Sequence, residues 1–317
     1  MLVDGSTKLI SSFWCPLLAL GHAGKTSDQR QFSGHSVTFH EATPSVAIIV
    51  PTRNSGMTLR ACLESICAQS YECQLIVVDN SSTDNTVIIA EELADLLLHV
   101  GPERSAQRNA GSAATSADIV GFIDSDMVLS PSVVTEVVGA IDSGAISVVV
   151  PETTVGEGFW AHVSAYERSF YEGSDYIEAP RFFPRSVFEK VGGFDEAMTG
   201  AEDWDLGLRT IGEGTRVRIT ANIIHEEGRV RYLNICGKKA YYAPGVALFL
   251  KKHGMRGITG MSRRPWLHQP RALVRPLGLG LLALKAGQAI AMALALAWSF
   301  FGRRFKLPDR PSERTQH

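Results

Sequence analysis

Two carboxylates lie one residue apart in the middle of the chain, directly after an apolar run. Asp124 and Asp126, with Ser125 between them, follow residues 119–123. The β-branched and aromatic residues of that run predict a strand covered on both faces. Side chains two positions apart in a strand point to the same side, so both carboxylates can face one ligand, and their oxygens suit a divalent cation such as Mg²⁺ or Mn²⁺. The alternative from these residues alone is a polar turn that ends the strand.

Strands and helices alternate along the first half of the chain. Continuous apolar runs at 46–50 and 75–78 precede the run at 119–123. The segments 58–69 and 86–98, which lie between these runs, have apolar residues at helical spacing. This pattern predicts an α/β fold with a doubly wound, mostly parallel sheet and helices on both of its faces.

Polar residues also end the two earlier strands. Pro51, Thr52 and Asn54 follow the first strand, and Asp79 follows the second. In doubly wound sheets, ligands bind in the crevice beyond the carboxyl ends of the strands. We therefore expect these residues to meet the carboxylate pair in one crevice.

A second acidic cluster lies at the start of a predicted helix further along the chain. It consists of Glu202, Asp203 and Asp205. One carboxylate is enough to complement the positive end of a helix dipole, so the others are available for chemistry, and Asp203 is the candidate general base. His225, at a strand end, is a candidate metal ligand, although a single histidine in such a place is commonly structural.

The bulk composition limits the class of protein. The chain has 317 residues, of which 45% are hydrophobic and 20% are charged, as is typical of a globular protein with a well-filled core. Its formal net charge of -2 gives no reason to expect nucleic acid as a partner. The 5 cysteines are odd in number and include no C-x-x-C pair, which argues against a disulfide framework or a zinc knuckle. A reducing compartment, and hence a cytoplasmic location, is the simplest interpretation.

Composition divides the chain into three parts. Residues 1–43 carry few signals beyond a weak match to a signal peptide, and they predict a poorly ordered N-terminal extension. Residues 44–250 hold the strands, the helices and every candidate site residue. Residues 251–317 are basic and apolar and predict a helical C-terminal segment.

The C-terminal segment has the composition of a membrane-attached helix. Residues 251–306 contain no Asp or Glu, and the apolar run 276–302 is long enough to cross a bilayer. Lys285 near the middle of that run is costly inside lipid, so the helix can span the membrane, lie in its interface or pack as a soluble helix. We expect membrane attachment at the inner face of the cell membrane, because a basic segment beside an apolar one suits an anionic lipid surface.

Four motifs, taken in order, resemble those of the family 2 inverting glycosyltransferases, whose doubly wound nucleotide-binding fold is called GT-A. The resemblance covers about residues 45–250, and although each motif alone is weak, the ordered set is specific. It implies that 44–250 is a GT-A domain that transfers a sugar from a nucleotide-diphosphate donor to an acceptor hydroxyl. The motifs are Val50-Pro51-Thr52-Arg53-Asn54, Val78-Asp79-Asn80-Ser81-Ser82-Thr83-Asp84, Asp124-Ser125-Asp126 and Glu202-Asp203-Trp204-Asp205-Leu206.

The resemblance also implies roles for single residues. Asp203 matches the catalytic base, Asp126 matches the metal ligand of the DxD motif, and His225 is similar to a later histidine that contacts the metal or the diphosphate. Asp79 matches the carboxylate that accepts a hydrogen bond from the nucleotide base. The residues that the family pattern places around the nucleotide are Pro51, Thr52, Asn54, Asp79, Arg108, Asp124 and Ser125.

The implied cofactor is a divalent metal, Mn²⁺ or Mg²⁺, which offsets the charge of the leaving diphosphate. The implied donor is a nucleotide sugar, with UDP favoured by the family's commonest usage, and the implied acceptor is a glycan or a lipid-linked sugar. A Gln-x-x-Arg-Trp motif, which processive synthases of the family carry after the base, is absent from the sequence. This favours a non-processive enzyme.

Two other functions compete with this interpretation. A nucleotidyltransferase also has a doubly wound fold with paired carboxylates, but it needs a Gly-rich, basic loop after the first strand. Residues 51–56 supply only one Gly and one Arg there. A catalytically inactive nucleotide-binding scaffold at a membrane is the third possibility, and the presence of both Asp126 and Asp203 argues against it.

Overall fold

The computed structural model describes residues 43–174, 177–255, 257 and 265–300. The predicted N-terminal extension therefore lies outside the described residues, apart from position 43. The elements alternate as the sequence predicts through most of the chain. The strands are β1 (Val46–Thr52), β2 (Gln74–Asp79), β3 (Leu96–His99), β4 (Ile119–Phe122), β5 (Met127–Leu129), β6 (Ala145–Val149), β7 (Glu152–Glu157), β8 (Phe182–Pro184), β9 (Thr215–Arg218) and β10 (Ile223–Arg229).

Helices connect the strands and continue after the last of them. Short 3₁₀ turns cover Ile211–Glu213 and Pro265–His268. The α-helices are α1 (Leu59–Cys67), α2 (Thr86–Leu93), α3 (Arg104–Ala113), α4 (Val133–Asp142), α5 (Phe159–Ser169), α6 (Arg185–Lys190), α7 (Glu202–Thr210), α8 (Tyr232–His253), α9 (Pro270–Leu273) and α10 (Pro276–Phe300).

The described strands form two sheets. The larger has the order β3-β2-β1-β4-β8-β6-β9. Its pairs are parallel from β3 through β4, antiparallel on both sides of β8, and parallel again between β6 and β9. The prediction of an α/β fold with a mostly parallel sheet is confirmed. The smaller sheet has the order β5-β10-β7 and lies at the end of β4, because β5 follows β4 after a short turn.

Apolar clusters cover both faces of the large sheet, and β1 shows why its sequence is continuously apolar. Ile48 packs with α1 on one face, and Ile49 packs with residues near α3 and α6 on the other. Alternate side chains of a strand point to opposite faces, so a strand covered on both sides needs apolar residues at every position.

Two local predictions were wrong in their boundaries. Residues 96–98, predicted as the end of a helix, belong to strand β3, and α2 ends at Leu93. Leucine is compatible with either a helix or a strand. The side chain of Asp95 accepts a hydrogen bond from the Leu75 N–H at 2.7 Å, and this bond places the residues that follow Asp95 beside β2. Pro51 lies inside β1 rather than after it, because the pairing of β1 with β4 has already ended at Ile49.

The C-terminal helix α10 packs against α5 and α8. Leu281 and Leu284 are fully buried there, in a cluster with Val163 and Cys236. Among the described residues, α10 is the helix that is long and apolar enough to cross a membrane, over Pro276–Trp298, and 22% of an 18-residue apolar segment of that stretch is buried. A helix of a soluble core would be covered on most of its surface.

The close pairing of β4 with β8 depends on a glycine. A Cβ atom added to Gly121 would lie 2.2 Å from Cε1 of Phe182. We expect Gly121→Ala to lower the free energy of unfolding by about 1–3 kcal/mol, because the buried ring has to move. Chemical denaturation measures the change.

The matched control is Gly139→Ala in α4, where an added Cβ meets no atom within 4 Å. Alanine at that exposed helical position should raise the free energy of unfolding by about 0.5–1 kcal/mol. Equal stability of the Gly121→Ala protein and the unmodified chain would contradict the packing described here.

Candidate functional site

The ends of β1, β2 and β4 bring the polar residues of the first motifs together. Thr52 and Asp79 are paired neighbours in the register of β1 and β2. On the other side of β1, the N–H of Ile123 donates to the carbonyl of Ile49, so Asp124 comes next at the same edge of the sheet. The expected crevice is therefore formed by residues that lie far apart in the sequence.

Arg108 lies at the centre of the charged residues in this crevice. Its side chain is fully buried. Nη2 donates to Oδ1 of Asp124 at 2.7 Å, and Nη1 donates to Oδ1 of Asp203 at 3.0 Å. Nη1 is also 3.5 Å from Oε1 of Glu202. The guanidinium thus joins the carboxylate at the end of β4 to those at the start of α7.

Helix α3 positions Arg108 by its close approach to the sheet. A Cβ on Gly111 would lie 2.5 Å from Cγ2 of Ile49, so only glycine permits this distance. One turn before Gly111, the buried amide of Gln107 donates to the carbonyl of Thr52 at 3.0 Å and to the carbonyl of Val78. These bonds hold α3 over the ends of β1 and β2.

Asp124 is strongly biased toward its ionised form. Burial alone would raise the pKa of this carboxyl, but the charges of Arg108 and then Arg181 hold the pKa well below its usual range. Arg181 is 3.8 Å from Oδ2 of Asp124 and also pairs with Glu152. The two guanidinium groups thus offset the negative charge of this carboxylate.

The three carboxylates of α7 have different surroundings. Asp205 is fully buried and binds Arg209 and His253. Glu202 is buried beside Arg104 and Arg108, and burial followed by the nearby charge of Asp203 raises its pKa. The Asp203 side chain is 39% exposed. Of the three, only Asp203 is open to a substrate.

Asp126 faces away from the arginines and toward His225. Antiparallel pairing of β5 with β10 sets His225 opposite Met127, the residue after Asp126. Oδ2 of Asp126 and Nε2 of His225 are 3.2 Å apart. Burial would raise the pKa of Asp126, but the hydrogen bond with His225 lowers it below its usual value.

This pair has the chemistry and spacing of a shared metal site. Two metal–ligand bonds of about 2.1 Å at roughly a right angle place the donor atoms about 3 Å apart. The buried Nδ1 of His225 has no hydrogen-bond partner and is 4.0 Å from Oε2 of Glu152. No group of three or more candidate ligands occurs among the described residues. Phosphate oxygens and water would therefore complete the coordination of a cation here.

The remaining predicted residues lie around the ends of β1, β2 and β4. Asn54 has a left-handed backbone, with φ of 51°, and its side-chain oxygen accepts from the Thr83 N–H at 2.8 Å. Asp79 is buried and accepts hydrogen bonds from the N–H and the hydroxyl of Ser82. Ser125 donates to Ser55 at 2.8 Å. Pro51 and Thr52 are buried at the end of β1, so the roles of all these residues in binding stay predictions.

Sequence reasoning missed several charged residues of the site. Arg181, Glu152 and Arg104 were assigned no role, although all three reach the residues around Asp124. Glu152 begins β7, which was not predicted, and Arg181 immediately precedes β8. No local sequence signal marks these three residues, because they meet Asp124, Glu202 or one another only through the packing of distant elements.

Comparison with known protein families agrees with this geometry. The family model described as "Glycosyl transferase family 2" matches residues 47–195, which include the first three motifs. The chain belongs to glycosyltransferase family 2. The match contains Arg108 and both carboxylates of the Asp124 motif, and the acidic cluster of α7 lies just beyond it.

Among curated members of the family, the chain is similar to the pre-mycofactocin glycosyltransferase of Mycobacterium tuberculosis. The two are 27% identical over 291 residues, which cover 81% of this chain and 59% of the relative. The chain thus spans less than two thirds of the length of that protein.

Two solved structures have the same fold. The mannosyltransferase PcManGT from Pyrobaculum calidifontis, in complex with GDP-Man and Mn²⁺, has a TM-score of 0.57 at 18% identity, with 83% of this chain and 89% of that chain covered. TarS 1-349 of S. aureus, in complex with UDP-GlcNAc, has a TM-score of 0.50 at 17% identity, with 84% of this chain and 95% of that chain covered.

Because Arg108 pairs with several carboxylates, replacing it should strongly lower the stability of the protein. We expect Arg108→Gln to lower the free energy of unfolding by about 3–5 kcal/mol, because it removes the closest counter-charge of Asp124 and leaves buried Glu202 with Arg104 alone. Urea denaturation followed by circular dichroism measures the change.

Arg60→Gln is the matched control, since Arg60 pairs with Glu92 on the protein surface. Exposed ion pairs contribute little to the free energy of unfolding, so the control should unfold like the unmodified chain. An Arg108→Gln protein as stable as this control would show that the three carboxylates do not need the guanidinium.

Proposed function

We propose that this chain is an inverting, metal-dependent, non-processive glycosyltransferase that moves a sugar from a nucleotide-diphosphate donor to an acceptor hydroxyl. One observation carries the proposal. Buried Arg108 joins Asp124 to Asp203, while Asp126 faces His225 at the same strand end. A nucleotide-side carboxylate, a candidate metal pair and an exposed carboxylate thereby belong to one centre.

Each residue of the centre has a separate role in the direct displacement of the diphosphate by the acceptor oxygen. Asp203, the partly exposed carboxylate, takes the proton from the acceptor hydroxyl as that oxygen attacks the sugar. Arg108 orients Asp203, since its Nη1 donates to Oδ1 at 3.0 Å. Asp126 and His225 would hold a divalent cation, which supplies the positive charge that stabilises the leaving diphosphate.

The nucleotide is expected at the ends of β1 and β2. Asn54 and Asp79 lie there. Ser125 is held next to Asn54 because its hydroxyl donates to Ser55. We favour a UDP-sugar, and the fold accommodates both UDP-GlcNAc in TarS and GDP-Man in PcManGT. Mn²⁺ accompanies GDP-Man in the latter, which supports Mn²⁺ or Mg²⁺ as the cofactor.

Helix α10 supports a membrane location. One side of it is buried against α5 and α8, as described above. The opposite side is apolar as far as Trp298, with exposed side chains that include Leu279, Leu282, Ile290 and Leu294. We propose that this exposed side lies in the interface of the inner face of the cell membrane, where a glycan or a lipid-linked acceptor is within reach.

The catalytic role of Asp203 is testable by an isosteric change. Asp203→Asn should reduce the rate of sugar transfer by about 10²–10⁴-fold, because the amide cannot accept the proton. Nucleotide binding should persist. The measurement combines calorimetric titration of UDP and GDP, with Mn²⁺ and with chelator, and nucleotide release from matching nucleotide sugars.

Asp126→Ala provides the complementary variant. It should lose the metal-dependent part of nucleotide binding while Asp203→Asn keeps it. If the unmodified, folded protein binds neither nucleotide in the presence of metal, the transferase proposal fails.

Membrane attachment is testable on the exposed side of α10. Leu282→Glu combined with Leu294→Glu should release the protein from sedimented membranes, because two charges would have to enter the interface. Ile88→Glu, on an exposed position of α2, is the control and should sediment normally. An unmodified protein that stays in the supernatant without detergent would contradict the attachment.

A further inference from the structure

A basic cleft lies between the end of α5 and the segment that leads into α10. Its volume is about 1100 Å³. No residue of this cleft belongs to the motifs described above. Its main lining residues are Tyr166, Phe170, Ser174, His268, Arg271 and Arg275.

The cleft has an excess of cationic side chains. His268, Arg271 and Arg275 line it and are exposed. Among the described residues, neither arginine forms an ion pair with a carboxylate. Glu172 also lines the cleft, but it lies 3.6 Å from Arg218 and is partly neutralised there. The free charge of the cleft is therefore positive.

The opposite wall of the cleft is aromatic. The rings of Tyr166 and Phe170 meet edge to face, with their centroids 4.9 Å apart. The Tyr166 hydroxyl donates to the carbonyl of Ala272 at 3.1 Å, which fixes the aromatic wall to the basic segment. Aromatic faces suit apolar chains and sugar rings, and arginine forks suit phosphate oxygens.

Two short connections tie the cleft to the proposed catalytic centre. Arg168, two residues before Phe170, donates to Oε2 of Glu152 at 2.9 Å, and the same oxygen is 4.0 Å from Nδ1 of His225. On the other side, the Trp204 indole N–H donates to the carbonyl of Ile177 at 3.2 Å, three residues after Ser174 of the cleft. Trp204 is the neighbour of the candidate base. The cleft is therefore linked to the centre through Glu152 and the neighbour of Asp203, and not through Asn54 and Asp79.

The cleft also adjoins the apolar surface proposed to face the membrane. Arg275 immediately precedes α10, whose exposed side is apolar from Leu279 onward. A ligand with a phosphate and an apolar chain could thus place its charge on the arginines and its chain along lipid.

We propose that this cleft binds the phosphate or diphosphate group of the acceptor. The inference rests on the proposed function, because it assigns the acceptor class to the same centre. The phosphate source is either a lipid-linked acceptor or a soluble phosphorylated one. Arg271 and Arg275 bind the phosphate oxygens, and the aromatic wall holds the group attached to them.

The experiment compares two probes on the full chain. Geranyl diphosphate represents a lipid-linked diphosphate, and inorganic pyrophosphate represents the phosphate group alone. Both are titrated with UDP and Mn²⁺ at saturation, so that the nucleotide site is filled. We expect Arg271→Gln combined with Arg275→Gln to weaken the binding of geranyl diphosphate about tenfold or more, since two charge-assisted contacts are lost.

The matched control is Arg60→Gln combined with Lys251→Gln, which removes the same charge outside the cleft. It should bind both probes like the unmodified protein. Tighter binding of geranyl diphosphate than of pyrophosphate supports a lipid-linked acceptor, and equal binding supports a soluble phosphorylated one. Absence of binding, or equal loss in both double variants, would overturn the cleft as a phosphate site.

Asp126→Ala separates this inference from the proposed function. It should keep probe binding, because the cleft does not use the metal pair. If the unmodified protein binds geranyl diphosphate but no nucleotide, the phosphate site stands and the transferase proposal fails. If the unmodified protein binds nucleotide but not geranyl diphosphate, the transferase proposal stands and the phosphate site fails.

Discussion

The buried guanidinium of Arg108 is the interaction on which the centre depends. A buried charge is costly unless it is paired and hydrogen-bonded, so the carboxylates around it have to be in place for the fold to be stable. They come from separate elements: Asp124 from the end of β4, and Glu202 and Asp203 from the start of α7. One interaction thereby fixes the distance between the carboxylate at the end of β4 and the proposed base.

The small sheet adds the second constraint. Pairing of β10 with both β5 and β7 places His225 between Asp126 and Glu152. Glu152 is also held by Arg168 and Arg181, so the histidine faces a rigid charged neighbour. Metal-binding histidines usually direct their second ring nitrogen toward such a carboxylate. The arrangement leaves one carboxylate of the Asp124 motif to the arginines and the other to the proposed metal.

The C-terminal helices extend the same network to the surface. Helix α5 follows β7 directly and carries Arg168 toward the centre, while its other residues pack on α10. The basic cleft and the apolar side of α10 are consequently adjacent, and Arg168 connects α5 to Glu152 of the centre. The surface that we propose attaches to lipid and the cleft that we propose binds the acceptor are therefore neighbouring parts of the chain.

The sequence by itself determined the α/β class, the polar ends of the strands and the motifs of the family, because these depend on residues close together in the chain. The strands β1, β2 and β4 can be predicted from the sequence because each is covered on both faces and is therefore apolar at nearly every position. It did not determine that residues 96–98 form a strand, nor that β5 and β7 exist. Only the tertiary structure decided which carboxylates are neutralised and which are accessible to a substrate. Asp205 is buried against Arg209 and His253, whereas Asp203 is partly exposed. Ion pairs between distant residues are set by packing and strand register, which local patterns do not encode.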